Sequence, residues 1–250
     1  MIDLPLMTRI FRALPEKTRV IMLGDADQLP SVAAGSILSD LAPEKLNGYS
    51  KHNTQFIENI GNCNLPNHSF EYDHITSLQK SYRFKGDGGI GRLAKSVISG
   101  DKNQSWQILK KGDNEVSLIK TALFSNWVKQ HTMEHFGELH KLDSLNSAFD
   151  LLNKFRFLAA TRQGEFGIDT INELVEKTLS EHYKKHLTGK LYHGKPIMVS
   201  ENKHDIRLYN GDIGIFWQTP TGLMAAFPTE DNNFKLFAPG KLPKFETVYA

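Results

Sequence analysis

The sequence predicts an α/β fold, on three observations. Val20-Ile21-Met22-Leu23 is a short unbroken apolar run that follows a helical pattern and stops at the polar cluster Gly24-Asp25-Ala26-Asp27-Gln28. Phe155 to Ala160 repeats this arrangement, ending at Thr161-Arg162-Gln163-Gly164 with a helical pattern after it. From Pro196 onward, apolar runs recur every ten or so positions between turn residues. Continuous apolar runs suit parallel strands buried on both faces, and short runs between turns suit antiparallel strands.

Taken in order, residues 4–14 place Leu6, Ile10, Phe11 and Leu14 at helical spacing, and Pro15 to Thr18 breaks the pattern. Val20 to Leu23 is the first expected strand. Ligands of open α/β sheets bind at the carboxyl ends of strands, which is where Asp25 to Gln28 fall. Residues 43–74 lack periodicity and read as a long surface excursion. Residues 90–98 read as a helix with Ile90, Leu93, Ala94 and Val97 on one face. Residues 104–153 read as mostly helical, and a further helix runs from about Asp169 to Lys185. The runs Ile197 to Val199, Ile213 to Trp217, Leu223 to Phe227 and Phe234 to Phe237 make a small antiparallel β unit.

Composition sets outer bounds. The chain is 40% hydrophobic and 23% charged, ordinary for a globular protein. No apolar run approaches the roughly 20 residues of a membrane helix. Arg9, Arg12 and Glu16 interrupt the first apolar stretch, against a signal peptide. The single cysteine, Cys63, has no internal disulfide partner and fits a reducing compartment. A net charge of +2 permits nucleic-acid binding without arguing for it.

Three motif matches are weak. Gly189 to Lys195 fits GxxxxGK, but Pro196 stands where the phosphate loop needs Ser or Thr, so a turn leading into a strand is the better account. Gly86 to Gly91 fits GxGxxG without a buried strand before it, and reads as a glycine-rich helix start. His131-Thr132-Met133-Glu134-His135 fits HxxEH of zinc proteases, but lies in a polar segment that reads as a solvated helix face. No metal ligand is assigned from any of them.

The informative stretch is Gly24-Asp25-Ala26-Asp27-Gln28-Leu29-Pro30-Ser31-Val32-Ala33-Ala34-Gly35. Taken alone it is a strand-end loop with two carboxylates and an amide, able to report on a phosphate or to cap its own loop. Its wording, GDxxQLxSVxxG, closely resembles motif III of superfamily 1 helicases, especially the RecD-like branch that includes the alpha subunit of exodeoxyribonuclease V. Met1 to Met7 resembles the residues after that family's Walker B acids. Leu78-Gln79-Lys80-Ser81-Tyr82-Arg83-Phe84 resembles motif IV, continued by Gly89-Ile90-Gly91-Arg92-Leu93-Ala94. Thr161 to Gly167, through Asn172, resembles a strand-end segment of the second motor domain. Gly194 to Val199, then Asn202 and Tyr209-Asn210-Gly211-Asp212-Ile213-Gly214, resembles the start of an SH3-like insert. The matches fall in family order. Residues 43–74 and 104–150 match poorly, and Lys203 stands where related sequences often have Asp.

The resemblance implies RecA-like motor portions of P-loop NTPase type: residues 1–75 ending a first domain, 76–190 part of a second, and 191–250 a small SH3-like β insert. It implies a part of an ATP-dependent 5′-to-3′ DNA helicase subunit of the exodeoxyribonuclease V (RecBCD-type) complex, using ATP and Mg2+. Partners would be single- and double-stranded DNA and the beta and gamma subunits, in the cytoplasm and away from membranes. Gln28 would sense the γ-phosphate, Asp25 would bind the nucleotide beside it, and Arg83 would bind it too and stabilise transition-state charge; the ordinary alternative for Arg83 is a surface ion pair. Thr161, Arg162, Asn202 and Asn210 would line the DNA track, each with a turn or capping role as its alternative. The family's Walker residues have no counterpart in residues 1–250, so this stretch alone is expected to bind no nucleotide and to be inactive. The other expectation kept open is a degenerate motor module that serves only for docking.

Overall fold

The computed structural model describes residues 2–25, 37–42, 48–65, 72–78, 82, 88–184, 187, 191–231 and 233–250. It comprises two compact units, Met1–Leu118 and Ile119–Ala250.

In the first unit, helix α1 spans Leu4–Ala13. Asp3 caps it by accepting from the Leu6 N–H at 2.8 Å, and Pro5 opens the first turn, where its missing N–H costs nothing. Leu6, Ile10 and Phe11 of the expected apolar face remain exposed. The expected buried strand at Val20 to Leu23 is not found. The segment has no regular secondary structure, and Ile21 and Leu23 are 84% and 92% exposed. A parallel strand is buried only by neighbours on both sides and both faces, and no described residues supply them.

Helix α2 is Ile37–Leu41 and α3 is Lys51–Gly61. The surface excursion expected at 43–74 therefore contains a helix, capped by Ser50, whose side chain accepts from the Asn53 N–H. Helix α4, Gly89–Ile98, begins at the glycine-rich segment as expected. Its packed side is not the apolar one: Gly89 and Ser96 are buried, while Val97 and Ile98 are exposed. The reason is its partner, α5 (Lys102–Lys111), met through a Ser96–Ser105 hydroxyl contact of 2.9 Å. The α4 N-terminus is occupied by the chain's own acids. Glu115 accepts from the Ile90 N–H, and a Cβ on Gly89 would lie 2.3 Å from the Asp113 carboxylate. Acidic groups belong at a helix N-terminus, so carboxylates stand where a dinucleotide fingerprint would hold pyrophosphate.

The second unit holds α6 (Phe124–Phe136), α7 (Leu145–Leu152) and α8 (Ile168–Tyr183), then a five-stranded sheet. The strands are β1 Pro196–Val199, β2 Ile213–Thr219, β3 Gly222–Pro228, β4 Phe234–Phe237 and β5 Phe245–Thr247. Their order is β4-β3-β2-β1-β5, every pair antiparallel. Four match the expected runs; β5 was not expected, because three residues are too few to show a period. One core gathers Val128, Phe136, Leu152, Val175, Leu179, Ile215 and Tyr249 between helices and sheet; a second, on Ile197, Val199, Phe216 and Phe227, lies within the β unit. At about 25 cal/mol per Å² of apolar area, burying these side chains is the main stabilising contribution.

Phe155 to Ala160 has no regular secondary structure and is not a strand of the sheet. Phe157 is 3% exposed and its N–H reaches the Tyr249 carbonyl at 3.3 Å, while Leu158, on the other side, is 90% exposed. The segment thus has one backbone neighbour and one covered face. Asn172 of α8 ties the chain after β5: its Nδ2 donates to the Thr247 carbonyl, and its Oδ1 accepts from the N–H groups of Tyr249 and Ala250, all at 3.0 Å.

A buried polar group joins α8 to the sheet. Lys195 Nζ lies 2.7 Å from Glu176 Oε1, with both side chains 7% exposed. The Tyr192 hydroxyl donates to the same oxygen at 2.8 Å and meets the Tyr249 hydroxyl at 3.2 Å. Burial pushes both phenols far above their ordinary range, so they remain protonated donors. Lys195, the lysine of the GxxxxGK match, is thus engaged internally one residue before β1, as the turn-into-strand reading requires.

Candidate functional site

Of the residues expected at the nucleotide, Gln28 and Arg83 lie outside the described residues. Asp25 is described, is exposed and directly follows Gly24. Gly24 is a place of close approach: a Cβ there would lie 2.6 Å from Leu38 Cδ2 of α2, so a larger residue would displace that helix or its leucine.

The four residues expected on the DNA track all lie in the second unit, in two pairs. Thr161 and Arg162 belong to the loop that precedes α8. Backbone bonds fold this loop onto the helix start: Ile168 N–H to the Thr161 carbonyl at 3.0 Å, and Asp169 N–H to the Arg162 carbonyl at 3.1 Å. The Thr161 hydroxyl donates to the Gln163 carbonyl at 3.0 Å, a turn-stabilising role. Arg162 reaches across 84 residues to β5, where Nη1 and Nη2 each donate to one oxygen of Glu246 at 2.8 Å. Two parallel bonds of this kind exploit the planar guanidinium. They hold the Glu246 carboxyl below its usual range and raise the guanidinium above its own. A depressed carboxyl contributes stability above its unfolded-state value and loses it as pH falls through the folded value.

The second pair is Asn202 and Asn210. Asn202 Oδ1 accepts from the Asn210 N–H at 2.8 Å across a loop that Lys203 and Leu208 close with backbone bonds of 2.7 and 3.2 Å. The Asn202 side chain therefore fills the capping role. Both pairs are anchored to the β1–β5 ladder: Glu246 lies opposite Met198, and the Ser200 N–H, just past β1, bonds the Lys244 carbonyl at 2.9 Å. Arg162 is 62% exposed, so the ion pair is open to solvent and to an incoming anion.

Sequence reasoning missed Glu246 as the partner of Arg162, since nothing local joins positions 84 residues apart. It also misjudged the HxxEH segment. Thr132 and Phe136 are fully buried, and His131 and His135 are half-buried with their rings stacked on Phe155 at centroid distances of 5.4 and 4.0 Å. The segment is polar in composition, but α6 packs on both sides of it.

A family model described as an AAA domain matches residues 1–52. The RecBCD enzyme subunit RecD of Mycolicibacterium smegmatis is 30% identical over 253 residues, covering 100% of this chain and 40% of that protein. The chain is similar to RecD subunits along its whole length. The Haemophilus influenzae RecBCD enzyme subunit RecD is 31% identical, over 86% of this chain and 38% of its own length. That of Mycobacterium tuberculosis H37Rv is 28% identical over 100% of this chain and 40% of its own. The chain thus spans about two fifths of the length of these RecD proteins. The AAA-domain match and the mixture of helices with a sheet agree with an α/β fold of P-loop type. No helix among the described residues is long and apolar enough to cross a membrane.

Proposed function

We propose that these residues are the central part of an ATP-driven 5′-to-3′ DNA helicase subunit in a RecBCD-type complex. The carrying observation is similarity to RecD subunits along the whole chain, with the helicase-like motifs falling in family order. In this reading residues 1–75 and 76–190 belong to two RecA-like domains and 191–250 form the SH3-like insert. ATP and Mg2+ bind in the complete protein, residues 1–250 alone turn over no ATP, and the partners are DNA and the beta and gamma subunits, in the cytoplasm. A docking module without activity is the weaker reading, since the motor-motif residues Asp25, Gln28 and Arg83 are all present.

Gln28 tests the nucleotide side. Its amide both donates and accepts, whereas a carboxylate only accepts and repels the γ-phosphate. In a protein of the relatives' full length, Gln28→Glu is expected to impair ATP hydrolysis and strand separation and to leave single-stranded DNA binding largely intact. A loop-capping Gln28 would instead give a small drop in melting temperature with normal unwinding, so the three measurements on one variant decide between the roles.

Glu246 tests the DNA side. Phosphate must compete with this carboxylate for Arg162, so Glu246→Gln is expected to tighten single-stranded DNA binding. It should also steepen the salt dependence by about 0.7 in log K against log salt, the contribution of one added phosphate contact. Adding Arg162→Ala should cancel the gain. Unchanged affinity in Glu246→Gln would mean that the pair is only a structural tie.

A further inference from the structure

We propose that His131, Glu134 and His135 form a binding site for one transition-metal ion of the zinc class, independent of the helicase reading. All three lie on the last two turns of α6, at spacings i, i+3 and i+4 that put them on one face. Each offers a ligand atom, and these atoms lie within 4.8 Å of one another. His131 Nδ1 is 3.5 Å from Glu134 Oε2, and His135 Nε2 is 3.9 Å from Glu134 Oε1. The carboxylate therefore stands beside a nitrogen of each imidazole.

A second observation separates this triad from an ordinary polar surface. His131 Nδ1 is buried and makes no hydrogen bond among the described residues. A buried polar atom left without a hydrogen bond is costly, and a bound cation would satisfy it. The rings are also held in place. The two imidazoles are parallel to within 4°, both stack on Phe155, and the Trp127 ring meets His131 edge-on at 4.7 Å. Ordering of both histidines is therefore complete before an ion arrives, which favours binding. Glu134, 57% exposed, has room for the small movement that closes three donors onto an ion at about 2.0–2.2 Å.

The donors choose the ion. Two imidazoles and one carboxylate suit Zn2+, Co2+, Ni2+ or Cu2+, whereas Mg2+ and Ca2+ take oxygen ligands. Glu134 serves here as a ligand and no hydrolytic role is assigned to it. A bound ion would cross-link one helical turn and fix Phe155, the first residue of the segment that leads to Thr161 and Arg162.

The test is a Co2+ titration of the chain after alkylation of the exposed thiol of Cys63, followed by visible absorption and calorimetry. One equivalent of Co2+ is expected to bind, to be displaced by Zn2+ and to resist millimolar Mg2+. His131→Phe with His135→Phe preserves the stacking on Phe155 and should abolish the signal. Glu134→Gln, at an exposed position that leaves folding intact, should weaken Co2+ binding by at least about tenfold. Absence of one-to-one binding by the unaltered chain overturns the site. So does wild-type affinity in Glu134→Gln or in the double-histidine variant; should the double variant fail to fold, Glu134→Gln decides alone.

Discussion

Lys195→Met is expected to destabilise the second unit by about 3–5 kcal/mol, the cost of removing one partner from a buried ion pair. Glu176, 7% exposed, would lose its ammonium partner and keep the Tyr192 hydroxyl beside it. Methionine fills much of the lysine stem's volume, so the loss would come from the abandoned carboxylate and not from a cavity. For a protein of 150–250 residues, 1 kcal/mol moves the melting temperature by about 2–4 °C, so a fall of roughly 6–20 °C should appear in calorimetry. The double variant Lys195→Met with Glu176→Leu is expected to regain most of it, because two apolar groups replace the pair without leaving a charge behind. A single variant that melts like the wild type would show that water reaches Glu176 and that the pair contributes little.

Arg83→Ala, in a protein of the relatives' full length, should lower ATP turnover by about 10³-fold or more while nucleotide binding persists. An arginine that meets phosphate charge only as the transition state forms affects rate far more than ground-state affinity. Arg83→Lys should rescue little, because an ammonium cannot make the paired, planar contact of a guanidinium. ATPase rates beside nucleotide-binding isotherms distinguish this from a surface ion pair, for which turnover would be near normal. Arg83 lies outside the described residues, so this expectation stands on the motif IV resemblance alone.

Helices α1 and α4 to α8 and four of the five strands were legible because each carries its own period, whereas α2 and α3 were not. The spacing of Leu6, Ile10, Phe11 and Leu14, and the apolar run from Ile213 to Trp217 between turn residues, announce their structures locally. Val20 to Leu23 and Phe155 to Ala160 were read as buried strands because composition reports what a segment needs, whereas burial depends on which neighbours surround it. Ile21 at 84% and Leu158 at 90% exposure measure that difference. The α4 face was misread for a related reason: Ser96 packs against Ser105, and small polar residues permit close approach without a hydrophobic pattern. The candidate DNA residues could be named from order and wording. Their pairing could not, since Arg162 with Glu246 and Lys195 with Glu176 are products of tertiary folding.

The amide of Asn172 also settles an ambiguity that β5 cannot settle for itself. A strand of three residues, paired on one side only, has a short ladder with which to choose its alignment, and a slip of one position would turn every side chain to the opposite face. Asn172 presents a donor to the carbonyl of residue 247 and an acceptor to the N–H groups of residues 249 and 250. A slipped chain would lose this alternation of donor and acceptor, and Glu246 would move away from Arg162. One side chain on α8 thereby acts as an alignment key for the sheet's edge and keeps the carboxylate opposite the arginine it must hold.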